Sequence, residues 1–181
     1  MPNDPMRILK ADHREVEKLL DKLAESEEGA AREKMVAELV TKLSAHMEAE
    51  ESIVYPPVRT EVGVEDEEEA QIEHGLAREG LRKVQEMVEM PGFGAAVEML
   101  KGGISHHVEE EETQLLPELR ESLERDEWLA MGDALVQAKK AAGLPVPRPP
   151  RRRSTKRTKS ASTKSASTKS TRSSKSTKAS A

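Results

Sequence analysis

The chain has 181 residues, 35% hydrophobic and 35% charged, with 2% aromatic residues, no cysteine and a formal charge of −5. That length accommodates one modest domain plus a tail, and without cysteine there is no disulfide scaffold, thiolate zinc site or thiol nucleophile, so any metal must be held by nitrogen and oxygen. No run approaches the roughly 18 apolar residues of a membrane span, and the opening Met1-Pro2-Asn3-Asp4-Pro5 is not a charged segment leading into an apolar one, so the expected setting is cytoplasmic with no membrane contact.

Helical periodicity runs through residues 1–144, with no alternating Val/Ile/Thr runs. A first helix is predicted over 5–26, with Leu9, His13, Val16, Leu20 and Leu23 on one stripe. The second, 30–55, carries Val36, Leu39, Leu43, His46, Glu50 and Ile53 and is expected to stop near Pro56-Pro57. A third, 65–90, aligns His74, Ala77, Leu81, Val84 and Val88, and opens on an acidic run, 65–69, that reads as a solvated helix start. The fourth, 93–116, aligns Phe93, Val97, Leu100, Ile104, His107 and Glu111 and is expected to end near Pro117. Steps alternating between three and four put all these residues on the face a bundle turns inward. Residues 119–123 and 128–142 suggest further helix packed outside, with Trp128 as an apolar anchor.

The charge is unevenly divided. The segment 148–181 holds 12 Lys or Arg and no acid, leaving 17 basic against 34 acidic residues before it. The chain therefore reads as a bundle with a trailing helix over 1–144, then a Pro/Arg and Lys/Ser/Thr/Ala-rich tail over 145–181. Its few apolar side chains cannot offset a backbone ordering cost of roughly 1–2 kcal/mol per residue, so the tail is expected to be disordered. A flexible polycation suits non-specific contact with nucleic acid or another polyanion, or with its own acidic body.

The polar residues of the core repeat. His13 and His74, His46 and His107, and Glu50 and Glu111 are each 61 positions apart. His46-Met-Glu-Ala-Glu50-Glu-Ser-Ile-Val-Tyr-Pro56 matches His107-Val-Glu-Glu-Glu111-Glu-Thr-Gln-Leu-Leu-Pro117 in its His-x-Glu-x-Glu-Glu pattern, its following hydroxyl and its closing proline. Two helix pairs folded antiparallel would bring both His, His, Glu sets together about a pseudo-twofold axis. One inward histidine is ordinary, but an unpaired ionised glutamate in a dry core costs several kcal/mol, and two of them facing four imidazoles call for cations between them. Imidazole with carboxylate points to iron first and manganese second, and six side chains suit two metals with the carboxylates as bridges.

These motifs resemble the haemerythrin-like, HHE-type cation-binding domain over about residues 5–124: Asp12-His13 early in the first helix, His46 with Glu50, Glu51, Tyr55 and Pro56, then Glu73-His74, then His107 with Glu111 and Glu112. The resemblance implies an up-down four-helix bundle holding an oxo- or hydroxo-bridged pair of irons, with His13, His46, His74 and His107 as terminal ligands and Glu50 and Glu111 as bridges. It also implies oxygen carriage, oxygen or iron sensing, nitric oxide response or peroxide chemistry. Oxygen carriers in that family have a further histidine four residues after the one on the third helix, but that position is Arg78 here, and His106 is turned about 100° from His107. Such a site keeps roughly two coordination positions open.

Tyr55, whose counterpart in the other repeat is Leu116, is either a further ligand or a cap on the helix end. Gly103, one turn before His107, either leaves room for a small substrate or serves a close helix contact. The expectation is a protein that reacts with or senses peroxide, oxygen or nitric oxide, with catalase-like turnover of peroxide as the specific reaction. The alternative is a polyanion-binding protein acting through its tail, with the bundle as sensor or structural module. A ferritin-like ferroxidase ranks below both, because no histidine has a glutamate three residues before it.

Overall fold

The computed structural model describes residues 3–147; the tail expected to be disordered over 145–181 lies outside them from residue 148, as does the expected polyanion binding of 148–181. The order is α1 Pro5–Ala24, α2 Ala30–Ala49, a π-helical turn Glu50–Val54, α3 Tyr55–Glu61, α4 Val64–Glu86, α5 Phe93–Glu110, a second π turn Glu111–Leu115, α6 Leu116–Ser122 and α7 Arg125–Ala141. Each π turn joins its flanking helices into one rod, so the bundle has four: α1, α2–α3, α4 and α5–α6. α1 packs on α2 and α5, α4 packs on α5, α2 and α3, and α7 lies over α1, α2 and the first π turn. This is the expected all-helical up-down bundle with an extra C-terminal helix. No described helix is long and apolar enough to cross a membrane.

The expected stops at Pro56-Pro57 and Pro117 do not occur. A proline inside an α-helix lacks a donor and clashes with the carbonyl four residues back. Here a π turn precedes each: the Tyr55 amide donates to the Glu50 carbonyl and the Leu116 amide to the Glu111 carbonyl, five residues back. The prolines then fall in the first turn of α3 and α6, where no amide donor is needed. Residues 119–123, expected as separate outer helix, are thus the end of the fourth rod. The extra residue in the turn also moves the buried face. Ile53, expected on the inner stripe, is only half-buried, whereas Val54 and Tyr55 are buried, as Leu115 and Leu116 are in the other repeat.

Two apolar clusters fill the interior. One gathers Val16, Leu20, Leu43, Leu81, Val97 and Ile104 near the α1–α2 end. The other joins Ile8, Leu9, Val54, Leu116 and Leu119 to Trp128 and Leu135 of α7. α1 is started by Asp4, whose carboxylate accepts from the Met6 amide at 3.1 Å ahead of Pro5, and α7 by a capping box of Glu124 and Glu127. α7 comes so close to the N-terminus that a Cβ on Gly132 would collide with the Asn3 carbonyl oxygen, so only glycine lets it seat there.

Candidate metal centre

Along every rod the site residues fall between the two apolar clusters: His13 between Leu9 and Val16, His46 and Glu50 between Leu43 and Val54, His74 between Ala70 and Ala77, His107 and Glu111 between Ile104 and Leu115. The six predicted residues therefore form one polar layer, each between 0 and 6% exposed. On one side His13 Nε2 lies 3.2 Å from Glu111 Oε2 and 3.8 Å from Glu50 Oε1, and His46 Nε2 is 3.1 Å from Glu50 Oε2. On the other, His74 Nε2 lies 3.3 Å from both Glu50 Oε2 and His107 Nε2, and His107 Nε2 is 3.9 Å from Glu111 Oε2. Two groups able to hold a cation result, His13 with His46, Glu50 and Glu111, and Glu50 with His74 and His107. They share Glu50.

Among the described residues, no donor meets hydrogen-bond geometry with either oxygen of Glu50 or Glu111, or with His13 Nε2. Buried polar atoms are normally partnered, and a carboxylate without one bears a desolvation cost of more than about 1–3 kcal/mol. A donor set of four imidazoles and two carboxylates, all aimed at a common space, fits a borderline divalent or trivalent metal.

The electrostatics agree. Burial works against ionising either glutamate, yet His46, His13 and His74 hold Glu50 well below the usual carboxylate range. Burial and the charge of Glu50 push Glu111 up, since two like charges in one dry site do not both ionise freely. Burial also opposes the His13 cation, but the negative charge of the adjacent Glu111 and Glu50 carboxylates outweighs it and raises His13 to about 11. At His46 burial wins over Glu50 and lowers it to about 3.

Each imidazole turns its other nitrogen to a carboxylate outside the layer. His13 Nδ1 meets Glu112 at 2.9 Å, His74 Nδ1 meets Glu51 at 2.9 Å, His107 Nδ1 meets Glu73 at 2.8 Å, and His46 Nδ1 faces Asp12 at the longer 3.9 Å. The 61-residue offset carries Asp12 to Glu73, His46 to His107, Glu51 to Glu112 and His13 to His74, so all four pairings obey the pseudo-twofold. The three within hydrogen-bond distance, Glu112, Glu51 and Glu73, fix the tautomer that leaves Nε2 of His13, His74 and His107 turned to the layer, whereas His46 Nδ1 has no hydrogen-bond partner among the described residues. Sequence reasoning quoted these acids within its motifs without giving them a role; the available signal was an acid directly before His13 and His74 and directly after Glu50 and Glu111.

Tyr55 closes the first π turn through its backbone, but the rod continues past it and its side chain points into the layer. Its hydroxyl lies 2.9 Å from His74 Nε2 inside the layer, and burial, with the nearby carboxylates Glu50 and Glu111, drives its pKa strongly upward. Arg78 pairs with Glu51 at 2.7 Å and so steadies the acid that holds His74. His106 is 63% exposed and outside the layer. A Cβ on Gly103 would meet nothing within 4 Å, so this glycine opens space and makes no close helix contact. Within the acidic run 65–69, Glu67 is the exception to solvation: it is buried, paired with Arg59 at 2.7 Å. Trp128 is 3% exposed in the second apolar cluster, as an anchor would be.

A family profile described as the Hemerythrin HHE cation binding domain matches residues 4–119. The chain belongs to the haemerythrin HHE family. Its relatives include a protein named DNA nickase from Nostoc sp., 27% identical over 121 residues that make up 66% of this chain and 34% of that protein. Another is an uncharacterized hemerythrin-like protein of Schizosaccharomyces pombe, 29% identical over 133 residues, 71% of this chain and 66% of the relative. The chain thus spans about a third of the first and just under two thirds of the second. The HHE domain binds metal cations, and the histidines and glutamates of this haemerythrin-like layer are grouped so that they could hold them.

Proposed function

We infer that this haemerythrin-like protein holds two irons, with His13, His46, His74 and His107 as terminal ligands and Glu50 and Glu111 as bridges, and that the loaded centre reacts with or senses peroxide, oxygen or nitric oxide. The observation that carries the reading is the four orphaned oxygens of Glu50 and Glu111, fully buried amid four imidazoles. When bound, iron supplies redox and Lewis-acid chemistry that no side chain of the layer has.

The residues around the layer suit a small reactant. A void of about 10 Å³ touches all four histidines and is otherwise walled by Val16, Leu43, Met47, Ile104 and Val108, which is room for one water-sized molecule. Outside it, an apolar groove of about 490 Å³ between α4 and α5 passes Gly80 and Gly103 and reaches Ile104 and His107. Uncharged molecules of two to four atoms fit such an approach. Tyr55, kept protonated beside His74 Nε2, holds a phenolic proton within the layer. Turnover of peroxide moves protons as well as electrons, which favours peroxide as the specific substrate.

The test is iron and manganese content of the purified protein, with its visible spectrum and oxygen evolution after peroxide. About two irons per chain with charge-transfer bands are expected, and Glu50→Ala should lose them while keeping its helical signal. A folded, colourless protein that refuses added iron overturns the reading; iron without oxygen evolution moves it from turnover to sensing. A second role rests on the 12 basic residues of 148–181: contact with nucleic acid or another polyanion, in keeping with a relative named for action on DNA. Truncation after Leu144 should abolish salt-sensitive retention on DNA and leave metal content unchanged.

A further inference from the structure

A second opening reaches the layer, and it is acidic. A cleft of about 70 Å³ between α4 and the α5–α6 rod is walled by Asp66, Glu69, Glu110 and Glu118, with His107 and Glu111 at its inner end. That volume accommodates a cation with several of its waters. Glu73 and Glu110, which also line the cleft, meet the exposed His106, whose Nε2 lies 3.6 Å from Glu73 Oε1 and 3.5 Å from Glu110 Oε1, a third group able to hold a metal. The other oxygen of Glu73 is 2.8 Å from His107 Nδ1, so one carboxylate touches both the exposed imidazole and a buried one. Independently, the partnerless Glu111 carboxylate, 1% exposed, lines this same cleft.

We propose that the cleft is the loading route of the metal centre: a divalent cation is captured by His106, Glu73 and Glu110, then passes to Glu111 and His107. This rests on the reading of the buried layer as a metal site. Carboxylate oxygens replace the waters of the cation step by step, and a cleft lined by one sign of charge concentrates the opposite ion and speeds its entry by 10–10³-fold.

The other repeat displays the closed version of the same surface. Sixty-one positions earlier, Ala45 and Ala49 stand for His106 and Glu110, and Pro5, Ile8 and Pro57 stand for Asp66, Glu69 and Glu118. Asp12, the counterpart of Glu73, is bound by Lys139 of α7. A cation therefore finds a mouth on one repeat and, on the other, a helix with an ammonium group over the equivalent acid.

The proposal is tested by mixing metal-free full-length protein with cobalt(II) and following the rise of its visible absorption, then measuring cobalt per chain at the end. His106→Ala/Glu110→Gln should load roughly tenfold more slowly and reach the same content and spectrum, with Glu69→Gln/Glu118→Gln intermediate and less sensitive to salt than the parent. Glu27→Gln/Glu28→Gln, the same charge change on exposed residues of the α1–α2 turn, should load at the parent rate. Cleft variants that load as fast as this control overturn the route. Variants that also lose final content overturn it too, because those residues then belong to the centre itself. A parent protein that takes up neither cobalt nor iron removes the metal reading, and the route falls with it.

Discussion

The two repeats present nearly identical His/Glu layers and opposite exteriors. Around the first, α7 buries Trp128, Met131, Leu135 and Val136 against α1, α2 and the first π turn. Around the second, the counterparts of Pro5, Ile8 and Ala49 are the acids Asp66, Glu69 and Glu110, which line a cleft. The difference teaches that the layer does not dictate its surroundings. Its two carboxylates are answered from within by imidazoles, so the same polar core tolerates an apolar roof or an acidic mouth. The roof adds stability, since each large apolar side chain fully buried is worth roughly 1.5–3 kcal/mol; the acidic side leaves a way in.

The most forceful way to break the comparison is to remove the roof's anchor. Trp128→Ala deletes a side chain 3% exposed and should cost about 3–5 kcal/mol, lowering the melting temperature of the metal-free protein by roughly 10 °C or more. Leu76→Ala, on the open side and 69% exposed, should change stability by less than about 0.5 kcal/mol. Similar losses from both would mean that α7 is not a stabilising roof.

Lys139→Met is the next step down, because it leaves Asp12 buried without its counter-charge. Burial already raises the Asp12 carboxyl above its ordinary value, and Lys139 pulls it back; without the lysine it rises further. A carboxyl whose folded pKa lies above its unfolded one binds its proton more tightly in the folded state, so stability falls as pH climbs through that interval. The variant should lose about 2–3 kcal/mol at pH 7 and recover much of it near pH 5. Denaturant melts at the two pH values check this, and an equal deficit at both would show that Asp12 is not the group responsible.

The bundle and its ligand layer were legible because both depend on spacing: alternating steps of three and four marked the inner faces, and one offset of 61 marked His13, His46, Glu50 and their partners. What stayed hidden lies where the spacing changes. A periodic reading assumes a constant turn, so it put Ile53 on the buried stripe, whereas the π turn after Glu50 hands that place to Val54 and Tyr55 and carries the helix past Pro56. Glu51 and Glu112 stand in the motifs without a role, because they sit about 100° from the inward Glu50 and Glu111 that they follow; that rotation aims them at the imidazole of a neighbouring rod. The asymmetry was also written in the chain, in Pro5, Ile8 and Ala49 against Asp66, Glu69 and Glu110. It becomes meaningful only once α7 is seen to cover the apolar set.

The finest test asks whether the two repeats hold their imidazoles by the same means. Glu73 and Asp12 are equivalent by the offset, but Glu73 is 2.8 Å from His107 Nδ1 while Asp12 is 3.9 Å from His46 Nδ1 and bound to Lys139. Glu73 is thus a positioning residue for His107, a proposed ligand, and Asp12 is chiefly an anchor for α7. Glu73→Gln should weaken metal binding by about 10–100-fold and leave the metal-free melt within about 1 kcal/mol of the parent. Asp12→Asn should do the reverse, lowering the melt by stranding Lys139 and changing affinity by only a few-fold, because no direct hydrogen bond to His46 is lost. Chelator competition gives the affinities and denaturant titration the stabilities. Were the two variants to behave alike, the roof over the first repeat would be an addition without consequence for the site beneath it, and the repeats would be functionally equivalent despite their exteriors.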